Sequence, residues 1–280
     1  MSKDYDYRIN VFKRASLCRN FEQHVFDLIK LGTFKFPIYL SAGQEYISAS
    51  IAENMNKKGI DPNIFIQHRG HSTYLSFNAP IDGLINELLG RRSGCANGMG
   101  GSASIQSVEK NIFGHDGLMG SQVPIAVGHC YSTQHPTIVY MGDASAEEDY
   151  VLGAMGWAST KNLPILFVVE DNNLSILTEK KVRRNWDMHK VAQSFNMIGR
   201  DINDDPIEIR SALDSVFEKP MLLNINTHRK FWHSGAGIDD ENTFDRYMVE
   251  MESLGDNALK IDKDTRKEVI REWQRLLETQ

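Results

Sequence analysis

Long apolar runs and cysteine pairs are both missing from this sequence of 280 residues. Its longest uninterrupted apolar run, residues 163–169, is far shorter than the roughly 20 residues that a membrane-spanning helix requires. The N-terminal residues alternate charged with aromatic side chains and contain no apolar signal core, so we predict a cytoplasmic chain. The three cysteines, Cys18, Cys95 and Cys130, are widely spaced, which favours reduced thiols over a disulfide framework or a zinc site.

An excess of basic charge is missing as well. The chain has 31 Lys and Arg residues against 37 Asp and Glu residues, a formal net charge of -6. Because this balance offers no attraction to polyanions, we expect neither nucleic acid nor an anionic membrane as a partner. No repeat or linker divides the sequence, and 41% hydrophobic content is enough to form a core, so one main domain is expected.

Apolar strands alternate with helices in the second half of the sequence. Continuous apolar strands separated by helices are typical of a parallel sheet that helices cover on both faces. We therefore predict an α/β fold, with an α/β domain at 1–255 and a C-terminal helical extension at 256–280. The predicted strands are 63–67, 137–141, 164–169 and 221–226, and the predicted helices are 8–31, 81–89, 147–161, 188–195 and 265–277.

The last helix is predicted to begin at a capping box, the Thr-x-x-Glu pattern of Thr265 and Glu268. Its apolar residues fall on one face, which we expect to dock on the domain. These residues are Val269, Trp273, Leu276 and Leu277. Residues 91–120 are instead rich in glycine and poor in apolar side chains, which predicts a loop that forms part of a site.

Two polar residues follow neighbouring strands of the predicted sheet. Asp143 comes after the strand at 137–141, and Asn172 lies 29 residues further on, after the next strand. Because ligands bind beyond the carboxyl ends of parallel strands, both residues should emerge at the same edge. Magnesium prefers carboxylate, amide and carbonyl oxygens, the last of which Leu174 can supply, and it usually binds with a phosphorylated ligand. The alternative interpretation is a pair of solvated turn residues.

Gly142 and Asp143, with Asn172 at this spacing, resemble the Gly-Asp-Gly…Asn-Asn signature of thiamine diphosphate enzymes. From residue 10 to 240 the chain resembles the alpha chains of pyruvate, branched-chain 2-oxo acid and acetoin dehydrogenases. The resemblance implies the diphosphate-binding type of α/β domain at 1–255. The further motifs, in the family's order, are SAGQE at 41–45, HRGH at 68–71, GRRSGC at 90–95, GGS at 100–102, GLMGSQVP at 117–124, THR at 227–229 and HS at 233–234.

The resemblance also implies roles for ten residues. Asp143, Asn172 and the Leu174 carbonyl would hold Mg2+, and the backbone of Ala144 and Ser145 would touch the diphosphate. The remaining implied contacts are Arg69 with the diphosphate, His68 beside the cofactor where the family usually has tyrosine, Gly117 and Met119 with the aminopyrimidine, and His233 as an active-site histidine.

The implied activity is decarboxylation of a 2-oxo acid on thiamine diphosphate, with transfer of the acyl unit to an acceptor. The cofactor supplies the electron sink, and a histidine of near-neutral pKa, for which His233 is the best candidate, can move protons. His68 is the second catalytic candidate.

Three departures from the family pattern keep other functions open. Ala144 replaces the second glycine of the signature, which would strain the backbone if that position needs a positive φ. Phe231 and Trp232 precede His233 where the family has a further histidine, and residues 103–104 are Ala-Ser in place of Met-His. A non-oxidative carboligase or ketol transferase subunit and a non-catalytic cofactor-binding subunit therefore remain alternatives. A nicotinamide nucleotide binder is disfavoured because no Gly-x-Gly-x-x-Gly turn follows a strand.

The family takes the glutamate that activates the aminopyrimidine from a second α/β domain, and the sequence has no room for one. We therefore predict a separate beta chain that supplies the pyrimidine-binding domain and this glutamate, in an α2β2 heterotetramer. A small 2-oxo acid is the expected substrate, and a lipoyl acyltransferase is a possible further partner.

Three other groups have competing interpretations. His68 and His71 form a His-x-x-His pair that we expect to be structural or cofactor-binding rather than metal-binding. The basic residues at 180–184 are predicted to form a solvated loop face. Glu45 is interpreted either as a site residue or as a carboxylate at a helix start.

Overall fold

A computed structural model describes residues 3–233, 237–239 and 242–278 of the chain. Ser234, the last residue of the quoted motifs, lies outside the described residues. The strands are β1 (Asn63–Phe65), β2 (Ile112–Phe113), β3 (Thr137–Gly142), β4 (Ile165–Asp171), β5 (Leu174–Ser175), β6 (Thr178–Glu179), β7 (Ile198–Asn203), β8 (Met221–Asn226), β9 (Trp232–His233) and β10 (Gly237–Ile238).

Helices cover both faces of the main sheet. They are α1 (Lys3–Lys30), α2 (Glu45–Lys58), α3 (His71–Ser76), α4 (Ile81–Leu88), α5 (Gln122–Thr133), α6 (Asp149–Thr160), α7 (Lys180–Arg183), α8 (Met188–Ser194), α9 (Pro206–Ala212), α10 (Arg246–Leu254) and α11 (Asp256–Glu278). Two short 3-10 turns cover Val108–Lys110 and Ser145–Glu147. None of the helices in the described part of the chain has the length and apolar character needed to cross a membrane.

One six-stranded sheet organises the described residues, in the order β2-β1-β3-β4-β8-β7. Every pairing within it is parallel. Two small antiparallel hairpins, β5 with β6 and β9 with β10, lie outside this sheet. The predicted parallel sheet of an α/β fold is therefore confirmed.

The two faces of the sheet explain why its central strands are apolar throughout. Ile138 and Tyr140 of β3 enter a core shared with α1, α2, α3, α4, α9 and α11. Val139 and Met141 of the same strand enter the core on the other face, with α5, α6 and α8. Because successive side chains of a strand point to opposite faces, a strand that is covered on both needs an apolar residue at every position.

Several elements differ from the sequence-based expectation. β7 was missed because its sequence carries Arg200, Asp201 and Asn203, which an exposed edge strand tolerates. β2 was also missed, inside the stretch at 91–120 that was predicted to be loop. It pairs with β1 through Ile112 and Phe113. Helices α2, α3, α5, α7, α9 and α10 were not predicted either.

The C-terminal helix is longer than predicted. It begins at Asp256, directly after Gly255, so the Thr265 pattern lies inside the helix and is not a cap. Val269, Trp273 and Leu276 are buried as expected, whereas Leu277 is 39% exposed. The Trp273 ring lies 5.9 Å from that of Phe21 on α1, so the helix packs on the domain. The division at residue 255 itself stays a prediction.

Replacing Trp273 tests how much this docked helix contributes to stability. The side chain is fully buried, so Trp273→Ala is expected to lower the free energy of unfolding by roughly 3–5 kcal/mol. Leu259→Ala on the same helix is the control, because Leu259 is 54% exposed and its loss should change stability by less than about 1 kcal/mol. Denaturant unfolding measures both. Equal effects of the two substitutions would contradict the docking.

Candidate active site

A cavity of about 380 Å³ opens at the carboxyl edge of the sheet. Its walls come from the segments that follow β1, β3, β4 and β8, which lie next to one another in the sheet. This is the position at which parallel α/β sheets bind ligands, because the strand ends and the loops that follow them converge there.

Nine of the ten predicted site residues line this cavity. They are His68, Arg69, Met119, Asp143, Ala144, Ser145, Asn172, Leu174 and His233. The tenth, Gly117, is exposed and is not among the lining residues. Its backbone N–H instead donates to Nδ1 of His115.

Asp143 and Asn172 emerge side by side because β3 and β4 pair with Gly142 opposite Glu170. Asp143 is almost completely buried. Burial, together with the nearby Asp171, raises its pKa to about 6, although Arg183 opposes the shift. A nearby cation stabilises the ionised form of a buried carboxylate whose pKa is raised. The Asp143 oxygens therefore suit a divalent metal.

The oxygen atoms of Asn172 and Leu174 complete the set of candidate metal ligands. The Asn172 side chain donates from Nδ2 to Oε1 of Gln44 at 2.9 Å, and its Oδ1 accepts from the Leu174 N–H at 3.1 Å. These bonds hold Asn172 and Leu174 beside each other on the cavity wall. Within the described residues, no group of three or more His, Cys, Asp or Glu side chains is arranged for a metal. A magnesium site here therefore has to use amide and carbonyl oxygens as well.

The prediction of a solvated face for the basic residues at 180–184 holds for Lys181, whose side chain is 77% exposed, and is wrong for Lys180, Arg183 and Arg184. Arg183 donates to Oδ2 of Asp143 and to Glu147. Arg184 is buried and donates to the Asp143 carbonyl at 2.8 Å and to Glu147 at 2.9 Å. The carboxylates at the strand ends attract these side chains, since a buried charge without a partner is costly.

Ala144 does not strain the backbone. Its φ of -75° and ψ of -38° are ordinary right-handed values, so this position needs no glycine. Ser145 follows as the first residue of the 3-10 turn. The first N–H groups of such a turn have no partner within it, so they are available to an anionic ligand.

Two arginines converge on His233. Arg69 donates to Nδ1 of His233 at 2.9 Å, and Arg229 donates to the same atom at 2.8 Å. Arg229 is held in place by Asp239, with N···O distances of 2.6 to 3.0 Å. Arg69 also donates to the Leu40 carbonyl. Both arginines line the cavity, so its wall carries two positive charges.

His233 is neutral in this environment. Burial and then the charges of Arg229 and Arg69 lower its pKa to about 4. The expected near-neutral pKa is therefore not found. Because Nδ1 accepts hydrogen bonds, the proton of the neutral ring lies on Nε2, so His233 offers an N–H donor.

A buried Gln–Glu pair in the cavity was missed from the sequence. Gln67 donates through Nε2 to Oε2 of Glu170, and Oε1 of Glu170 has no hydrogen-bond partner among the described residues. Burial raises the pKa of Glu170 to about 7. The signal that could have revealed the pair is position: Gln67 and Glu170 lie at the carboxyl ends of two apolar strands, where site residues concentrate.

His71 and Glu45 have structural roles. The ring nitrogens of His71 lie 2.9 Å from Oε1 of Glu22 and 2.9 Å from Oγ of Ser102, so both are already occupied and a metal-binding pair with His68 is excluded. Glu45 is the first residue of α2, accepts from the Gly43 N–H at 2.6 Å and pairs with Arg19 at 2.5 Å. It does not line the cavity, so the helix-start interpretation is confirmed.

Comparison with known proteins places this chain in a family. The family model described as "Dehydrogenase E1 component" matches residues 13–265. The alpha subunit of the pyruvate dehydrogenase E1 component of Rickettsia bellii is 28% identical over 241 residues, which cover 81% of this chain and 72% of that protein. The alpha subunit of acetoin:2,6-dichlorophenolindophenol oxidoreductase from Bacillus subtilis is 24% identical over 255 residues, covering 86% and 76%.

Solved structures agree on the fold. Transketolase from Campylobacter jejuni superimposes with a TM-score of 0.59 at 15% identity, over 99% of this chain and 50% of that chain. Transketolase from Leishmania mexicana gives 0.60 at 15% identity, over 96% and 47%. The chain therefore spans about half the length of these enzymes. With a family match over most of its length, the chain belongs to the dehydrogenase E1 component family, and the resemblance to the alpha chains of thiamine diphosphate-dependent 2-oxo acid dehydrogenases is confirmed.

Proposed function

We propose that this chain is the alpha subunit of an enzyme that decarboxylates a small 2-oxo acid, with thiamine diphosphate and Mg2+, and passes the acyl unit to an acceptor. The observation that carries the proposal is the cavity at the carboxyl edge, whose wall contains Asp143, Asn172 and Arg69 from the ends of separate strands. The names of the relatives, which refer to pyruvate and acetoin, support a small substrate. The cofactor would supply the electron sink for loss of carbon dioxide.

The residues present suit a magnesium diphosphate. Asp143, Asn172 and the Leu174 carbonyl would hold the metal, since they offer the three kinds of oxygen that Mg2+ prefers. Arg69 would neutralise phosphate charge, and the backbone amides at Ala144 and Ser145 would donate to phosphate oxygens. Because the backbone at Ala144 has ordinary right-handed dihedral angles, the replacement of glycine by alanine gives no support to a subunit that has lost cofactor binding.

His233 would act as a hydrogen-bond donor rather than as a base. Its Nδ1 is engaged by two arginines, so its protonated Nε2 can donate to an oxygen of the substrate. Such a donor would stabilise the negative charge that develops on the 2-oxo oxygen when the carbonyl carbon is attacked, before carbon dioxide is lost.

A separate beta chain is part of the proposal. Apolar side chains lie exposed on the segments beside the cavity: Leu118 is 61%, Ile176 61% and Leu177 65% exposed. Neighbouring apolar side chains of this kind are typical of a surface that a protein partner covers. An α2β2 assembly, a glutamate supplied by the beta chain and delivery of the acyl unit to a lipoyl acyltransferase complete the proposal. A cytoplasmic location is proposed with it, since Cys18, Cys95 and Cys130 are free thiols.

The metal site can be tested by calorimetry of thiamine diphosphate on the reconstituted alpha–beta pair. Removing Mg2+ with a chelator should weaken binding at least about tenfold, because the metal links the diphosphate to Asp143. Asp143→Asn should cause a loss of similar size even with Mg2+ present. Asp214→Asn, which alters an exposed carboxylate outside the cavity wall, is the matched control. Binding that ignores both the chelator and the Asp143 substitution would contradict the metal assignment.

The requirement for a beta chain has its own test. The purified alpha chain should show no turnover of pyruvate or other small 2-oxo acids with thiamine diphosphate and Mg2+, whereas the chain co-expressed with a beta chain should be active. The assay follows release of carbon dioxide. Full activity of the isolated alpha chain would show that the site is complete without a partner.

A further inference from the structure

Two histidines that lie against each other at the cavity have unused ring nitrogens. His68 lines the cavity, and the centroid of the buried His115 ring lies 5.9 Å from that of His68. Nδ1 of His68 and Nε2 of His115 are both enclosed and have no hydrogen-bond partner in the described structure. Buried polar atoms are rarely left without partners, so this pair calls for an explanation.

The proton position on His115 follows from its backbone contact. The Gly117 N–H donates to Nδ1 of His115 at 3.0 Å, so this nitrogen carries no proton. Burial lowers the pKa of His115, and burial followed by the charge of Arg69 lowers that of His68 well below its usual value. Both rings are therefore neutral near pH 7. A neutral imidazole has one donor and one acceptor nitrogen, which leaves Nε2 of His115 as an N–H donor.

Within the part of the chain that the structure describes, Nε2–H of His115 is an unpartnered donor, and Nδ1 of His68 is an unpartnered nitrogen that can accept it. A hydrogen bond of about 2.9 Å between ring nitrogens places the two centroids roughly 5 Å apart. The observed 5.9 Å is about 1 Å longer than that arrangement, so the hydrogen bond is not formed in the structure itself and the two rings would have to move closer together to make it.

We propose that His115 donates its Nε2–H to Nδ1 of His68 and thereby fixes His68 as the tautomer that carries its proton on Nε2. Because Nδ1 is the enclosed nitrogen, Nε2 is the one left to reach the cavity. His68 then acts as a hydrogen-bond donor toward an acceptor oxygen, a phosphate oxygen or the carbonyl or carboxylate oxygen of the substrate. His115 is a positioning residue that acts through His68.

This assignment gives the cavity a consistent chemistry. His233 is held by Arg69 and Arg229 in the same tautomer, with its proton on Nε2. Both histidines would then present N–H donors rather than bases, which suits a ligand that is anionic and rich in oxygen. The catalytic consequence rests on the proposed function, whereas the tautomer of His68 is a property of this chain alone.

The tautomer is measured directly by NMR of the full chain labelled with 15N-histidine, without cofactor or partner. The nine histidines are assigned by single substitutions. In the wild-type chain we expect the His68 signals of an unprotonated Nδ1 and a protonated Nε2. His115→Phe should abolish this preference, because the ring remains but the donor is lost. His115→Gln, whose amide can donate in its place, should restore it.

The control is His135→Phe, which alters an exposed histidine away from the cavity and should leave the His68 signals unchanged. With the beta chain, His115→Phe is expected to lower kcat about tenfold with little change in KM, since a donor to developing charge acts in the transition state, and His115→Gln should recover most of the loss.

A protonated Nδ1 on wild-type His68 would overturn the inference by itself, even if His115→Phe failed to fold. An unchanged tautomer in folded His115→Phe would also overturn it. If the tautomer is as expected but the alpha–beta pair neither binds thiamine diphosphate nor releases carbon dioxide, the proposed function fails and the His115–His68 contact stands.

Discussion

The parallel pairing of β3 with β4 is the constraint on which the cavity depends. With Gly142 opposite Glu170, the chain leaves both strands at one edge, and Asp143 and Asn172 emerge next to each other. The register is held by apolar side chains on both faces, so a slip of one residue would exchange the contents of the two cores. The sheet core and the position of the polar site are therefore set by the same interaction.

Buried carboxylates at this edge of the sheet are paired with basic side chains of the segments around it. Asp143 and Asp171 are nearly inaccessible to solvent, and Lys180 and Arg183 contact them. An isolated carboxylate in that position would be costly, and the contacts of α7 with the strand ends offset the cost. On the opposite wall, Asp239 balances Arg229. The site is thus a set of buried charges, each of which requires a partner from elsewhere in the chain.

The sequence pattern predicted the strands that are buried on both faces and missed the strand that is partly exposed. β3, β4 and β8 were predictable because both of their faces are covered, which demands continuous apolar sequence. β7 lies at the edge, and its polar side chains hid it. The capping pattern at Thr265 misplaced the start of α11, because Ala258 and Ile261 pack in a core with residues of α1 and α10 and stabilise the helical turns that precede Thr265.

The sequence by itself determined the sheet type, the edge at which ligands bind and most of the residues that meet there, because strand burial and strand-end position are encoded in consecutive residues. Only the tertiary structure decided the protonation of the site. Arg69 is distant in sequence from Arg229 and His233, and His68 is distant from His115. Which nitrogen is engaged and which carboxylate is paired depends on distances between separate segments, and those distances exist only once the sheet has brought the segments together.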